Sequence, residues 1–119
     1  PDGYVQFFHS LITGGLLGDR GQEHLEDGFL QIEGEGFEHG FALFRFEGPA
    51  GTLISKGGTT AGSNCFAVHS VAEQGGNGAT AVVCRNSADL FLPNPITDAP
   101  SSAVEVDVLA LDLLQLARP

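Results

Sequence analysis

Two cysteines, four histidines and an acidic stretch are the chemistry-bearing residues of this 119-residue chain. Cys65 and Cys84 are its only cysteines, which excludes a four-cysteine zinc site and a dense disulfide framework. Between them lies EQGGNG at 73–78, whose Asn77-Gly78 step favours a tight hairpin. If that loop turns a hairpin, residues whose numbers sum to about 149 to 151 stand opposite one another, and Cys65 and Cys84 fall in that register. Two readings follow. One is a cross-strand disulfide closing a loop of about 20 residues. The other is a pair of buried thiols acting as small apolar side chains. A slip of one residue would place the sulfurs on opposite faces.

His69 followed by Ser70 suggests a nucleophile and its base. Neighbours on a strand point to opposite faces, however, and no Gly-x-Ser-x-Gly elbow is present. The stretch 57–62 (GGTTAG) is glycine-rich but lacks the Gly-Lys-Ser/Thr ending of a phosphate loop. Glu23, His24, Glu26, Asp27, Glu33, Glu35, Glu38 and His39 gather oxygen and imidazole ligands between 23 and 39. Their spacing matches neither an EF-hand nor a His-x₃-His step, so a solvated acidic edge is the simpler reading. A sugar platform usually rests on exposed Trp or Tyr, and this chain has no Trp and a single Tyr, Tyr4. No cofactor motif and no catalytic constellation emerges, and the chain reads as a non-enzyme.

The elements that would position these residues read as strands. Gly is frequent, at 17 residues, and falls between short apolar runs, while Phe, at 9, carries the aromatic content. Alternation is visible over 4–13, 29–33, 41–47, 52–56, 65–71, 79–86 and 104–110, with turn residues between. The stretch 16–23 reads as a loop, 37–40 as a connection, and Gly57-Gly58 as the end of a strand. Leu90-Phe91-Leu92 is a brief apolar run, and prolines at 93, 95 and 100 make 93–102 irregular. The expectation is one all-β domain over 1–119, an antiparallel β-sandwich or jelly roll of about seven or eight short strands. Residues 110–119 finish the last strand or form a tail or short helix.

A formal net charge of -10, with 5 Lys+Arg against 15 Asp+Glu, opposes nucleic acid and anionic membrane surfaces as partners. Hydrophobic residues at 42% are too many for a disordered chain, and no apolar run reaches bilayer-spanning length. Residues 1–10 hold neither the basic region nor the apolar core of a secretory signal. Residues 41–47 and 103–114 carry apolar side chains on both faces when read as strands. In a chain this short, that suggests an oligomer interface rather than two covered faces. The candidate contacts are Phe41, Leu43, Arg45, Val104, Val106, Val108, Leu109 and Leu111. Basic residues are so few that an interfacial Arg is expected to pair with an acidic neighbour.

Gly51-Thr52-Leu53-Ile54, the run from Cys65 to Val71, Thr80 to Asn86 with Arg85-Asn86-Ser87, and Ala103-Val104-Glu105-Val106-Asp107-Val108 share a texture. These segments resemble bacteriophage virion β-sandwich proteins, the head-decoration and tail-appendage types, in short Gly-punctuated strands and a valine-rich closing strand. The resemblance spans roughly residues 51 to 112 and leaves the two cysteines outside its pattern. It implies a structural, self-associating subunit, usually a trimer on a capsid or tail protein, located in the virion; outside a virus the expected place is extracellular. The alternative is a small ligand-binding module for a glycan or a Ca-type metal.

Overall fold

In the computed structural model, residues 2–31, 33–34, 36–48, 51–60, 63–72, 78–86 and 101–117 are described, with backbone alone at 59–60 and 101–107. The chain opens with helices α1 (Asp2–Ile12) and α2 (Gly18–Asp27). Six strands follow: β1 (Leu30–Gln31), β2 (Glu38–His39), β3 (Phe44–Gly48), β4 (Gly51–Thr60), β5 (Ser63–Ser70) and β6 (Ala79–Arg85). Helix α3 (Ser101–Leu116) comes last. The strands form one open antiparallel sheet in chain order, β1-β2-β3-β4-β5-β6.

The antiparallel sheet matches the expected strand chemistry, but the two ends of the chain do not follow the all-β reading. Residues 4–12 lie in α1, not in a strand. Tyr4, Phe8 and Ile12 recur every four residues; Phe8 and Ile12 are buried, whereas Phe7 is half exposed. Residues 18–27 form α2 rather than a loop, with Leu25 turned into the core. Residues 104–110 lie within α3. Ala110 and Leu114, one turn apart, are fully buried there, whereas a strand would have buried residues two apart.

Smaller differences follow from backbone hydrogen bonding. Glu38 and His39, read as a connection, form β2 and pair with β1 and β3. The strand expected over 41–47 starts at Phe44. Gly57 and Gly58 do not end β4 but pair with Phe66 and Cys65. The missing side chain at Gly57 leaves room for the Phe66 ring, which would lie 3.4 Å from a Cβ there. The run 90–92 and the proline segment 93–100 lie outside the described residues.

Alternation along the central strands divides the interior in two. Ile54, Ala67 and Val82 face α1 and α2, joining Phe8, Ile12, Leu25, Phe29 and Leu43. Leu53, Val68 and Ala81 face the opposite way and meet Ala110 and Leu114 of α3. The domain is therefore three layers, helices–sheet–helix, with α1 and α3 packed against β5 and β6 from opposite sides. The central strands β4 to β6 thus have cover on both faces within the chain itself, whereas Phe41 is exposed and β3 borders an open groove. Among the described residues there is no second sheet, and the place a sandwich would give it is taken by helices.

Candidate functional site

Helix α1 delivers His9 to the sheet where β5 and β6 carry His69 and Thr80 as a register pair. The Thr80 hydroxyl lies 2.8 Å from His69 Nδ1 and 2.9 Å from His9 Nδ1. A hydroxyl has one proton, so it donates to one imidazole and accepts from the other. The two rings meet edge-on at 5.4 Å. Burial, reinforced by His9, lowers the pKa of His69 to about 4, so the imidazole is neutral at pH 7. Gly78 closes over it: at φ +67°, a Cβ there would come 2.7 Å from His69 Nε2 and 2.1 Å from the Ser70 carbonyl oxygen. Ser70 itself is buried on the opposite face of β5 from His69. The suggested His69–Ser70 pair therefore does not form, and the hydroxyl His69 meets is that of Thr80.

Beside this group, a pocket of about 250 Å³ opens between the end of α1, α2 and the sheet. Its apolar wall includes Ile12, Leu25, Phe29 and Ile54, and its polar groups include Gln22, Glu26, Arg45 and His69. Arg45 is held from two sides. Its Nε and Nη2 donate to Glu38 at 2.5 Å and 3.0 Å across the β2–β3 pair. Its guanidinium lies over the Phe29 ring, 4.4 Å from the centroid. The Arg45 hydrogen bond holds the Glu38 carboxyl below its usual pKa. Gln22 Nε2 donates to the Ile12 carbonyl at 2.7 Å, while Gln22 Oε1 is buried with no hydrogen-bond partner.

A third feature is on the surface. Helix α3 is apolar on its outer side as well as its inner side. Leu109, Leu113 and Leu116 are 50%, 42% and 83% exposed, and Val108 beside them is 52% exposed. Next to the helix, Phe46, Leu53, Val108, Leu111 and Leu114 line a shallow groove of about 220 Å³ over β3 and β4. In comparison with known proteins, no family model, no curated protein and no solved structure matches this chain.

The residues singled out in the sequence fall into separate places. Cys65 and Cys84 are register partners and joined by a disulfide. Leu43 is buried in the core between α2 and the sheet, so it is not a surface contact. Phe41 is 67% exposed, and Arg45 is paired with Glu38 within the chain. Leu111 is partly buried against the α3 core, and Val108 and Leu109 are exposed. Val104 and Val106 lie in the part of α3 where only the backbone is described. His39 packs against the rings of Phe37 and Phe44. Among the described residues, no three His, Cys, Asp or Glu side chains converge as a metal would require. No helix among them is long and apolar enough to cross a membrane.

His9, Gln22 and Thr80 were not legible as a site, because nothing in their spacing joins them before α1 is recognised as a helix. Leu109, Leu113 and Leu116 were legible in principle. Their spacing of four and three marks one helical face.

Proposed function

We propose that the chain is a non-enzymatic, self-associating structural subunit whose contact surface is the outer face of α3. One observation carries this reading. Ala110 and Leu114 on the inner side of the helix are fully buried, yet Leu109, Leu113 and Leu116 present a second apolar stripe to solvent. A contiguous apolar stripe left on the surface marks a contact site. A second copy supplies the same stripe, so copies can bury it against one another about a symmetry axis beside α3.

The expected state on the resemblance to virion proteins is a trimer, and the expected setting is a capsid or tail. That setting is supported by the strand texture over 51–54, 65–71 and 80–86; the segment 103–108 no longer contributes, since it is helical. A two-sheet sandwich or jelly roll is not needed for the proposal, because the contact lies on a helix.

Light scattering behind size exclusion tests the reading. Each copy carries a net charge of -10, and α3 contributes Glu105, Asp107 and Asp112 with no basic residue. Apolar association opposed by like charge should strengthen as salt screens the repulsion. The double variant Leu109→Glu/Leu113→Glu should be a folded monomer. A wild-type protein that stays monomeric at every salt concentration would overturn the proposal.

A further inference from the structure

Helices cover both faces of the sheet at β5 and β6, but they do not close its edge. β6 is the last strand of the sheet, and among the described residues no strand pairs with its outer side. The opposite edge strand, β1, has only two residues, whereas β6 has seven. The phase of the ladder determines which backbone groups of β6 stand open. The Val71 N–H donates to the Thr52 carbonyl at 3.0 Å, one step beyond the Leu53↔Ser70 pair. Hydrogen-bonded pairs alternate along an antiparallel ladder, so His69, Ala67 and Cys65 turn their backbone groups toward β4. The residues between them turn theirs toward β6, where Phe66, Val68 and Ser70 meet Val83, Ala81 and Ala79. Thr80, Val82 and Cys84 therefore point their N–H and C=O groups outward. Among the described residues, no backbone hydrogen bond from a turn or loop reaches them.

The sequence of β6 does not guard this edge. ATAVVCR holds no Pro, Gly, Lys or carboxylate, and Arg85 at its end is its single charge. In a chain of net charge -10, a second copy of β6 thus brings no carboxylate against the first. The open groups are also self-complementary. In an antiparallel pairing centred on Val82, Thr80 lies opposite Cys84 of the second copy, and Val82 lies opposite its own counterpart. Each of these pairs exchanges two hydrogen bonds.

Helix α3 is placed to join the contact. It packs on β5 and β6 alike. With strands about 4.8 Å apart, its axis then lies about half a spacing inside the edge. A two-fold pairing of β6 brings the two α3 axes to about 10 Å, which is helix-packing distance. The apolar stripe faces that way. Val108, Leu111 and Gln115 line the groove over β3 and β4. At about 100° per residue, Leu109 and Leu113 fall on the opposite flank, beside the β6 edge, and both are exposed.

We propose that β6 pairs antiparallel with β6 of a second copy about a two-fold axis at Val82, forming one continuous sheet and setting Leu109 and Leu113 of the two α3 helices against each other. This deepens the self-association reading and rests on it. It also commits that reading to a dimer, or an assembly built of dimers, where the virion resemblance implies a trimer.

The test is backbone amide hydrogen exchange by NMR at rising protein concentration, run beside light scattering. The amides of Thr80, Val82 and Cys84 should slow at least tenfold as the dimer forms. Those of Ala81 and Val83, already bonded to β5, should change no more than a fewfold. Val82→Pro removes the central outward N–H but no bond to β5, and should weaken dimerisation at least tenfold. Val82→Ala, which loses packing but keeps the N–H, should weaken it no more than a fewfold. A dimer in which the Thr80, Val82 and Cys84 amides stay fast, or a trimer, would overturn the strand pairing and leave the α3 contact standing. A monomer at every salt concentration would overturn both. If Val82→Pro fails to fold, the exchange pattern of the wild-type chain still decides.

Discussion

Removal of the Cys65–Cys84 bridge gives the most quantitative prediction. The two residues are 19 apart in sequence and face each other across β5 and β6. In the folded state the hairpin already holds them together through seven register pairs running from Asn64↔Arg85 to Ser70↔Ala79. The bridge therefore acts chiefly on the unfolded chain, from which it removes the freedom of a closed loop. For a loop of about 20 residues that amounts to about 11 cal/mol/K, or about 3 kcal/mol at 25 °C. With an unfolding entropy of about 2.1 cal/mol/K per residue, this chain of 119 residues should melt about 12 °C lower without the bridge. The assay is paired thermal and urea denaturation of the oxidised wild type, the reduced wild type and Cys65→Ala/Cys84→Ala. The midpoint should fall in both bridge-free forms. The urea m-value should rise, because the unfolded state expands once the loop is opened. Two free thiols in the denatured, unreduced protein would refute the bridge itself. An intact bridge whose removal leaves midpoint and m-value unchanged would refute the loop-closure reasoning.

Three other outcomes follow from the packing and the electrostatics. Leu114→Ala, at a fully buried position of α3, should cost about 3 kcal/mol, and Leu113→Ala under about 1 kcal/mol; chemical denaturation of both variants checks which side of α3 meets the sheet. Gly78→Ala should cost at least about 2 kcal/mol from the left-handed backbone and the collision with the Ser70 carbonyl. Gly34→Ala, equally left-handed at φ +84° but in open space, should cost only about 1 kcal/mol, which makes it the control. His69, with its pKa lowered from 6.5 to about 4, takes up protons more readily when unfolded. Its contribution is thus complete above pH 6.5 and lost as the pH falls toward 4, an upper bound of about 3 kcal/mol. His69→Gln should flatten that part of a stability-against-pH profile, and an unchanged slope would exclude His69 as its source.

The middle of the chain was legible because its strands obey one rule from end to end. Between 51 and 85 the alternation of Leu53 with Ile54 and Ala67 with Val68 assigns each residue to a face, and every β5–β6 pair sums to 149, within the 149 to 151 expected of a hairpin turned by EQGGNG. The ends were illegible for a physical reason. In 4–13, apolar residues fill both odd and even positions, so a period of two and a period near four fit about equally well. What decides is which residues meet the sheet, and that is a tertiary fact. The same holds for 18–27, where two glycines in ten residues weaken the helix locally and the burial of Leu25 against the sheet supports it.

The α3 segment shows how a misassigned period changes a functional argument without removing it. Read as a strand, 104–114 is apolar on both faces, and the surplus face was attributed to an oligomer. Read as a helix, the segment buries Ala110 and Leu114 against β5 and β6, yet Leu109, Leu113 and Leu116 still point away from the core. The surplus comes from composition and survives the change of geometry. Between Val108 and Leu116, only Asp112 and Gln115 are polar. No assignment of secondary structure hides seven apolar residues on one side of a single element. The faces of the central strands β4 to β6, by contrast, lose their claim to an interface, because helices pack on both of them. The self-association argument therefore moves from the sheet to one helix face, where two exposed leucines one turn apart are enough to test it.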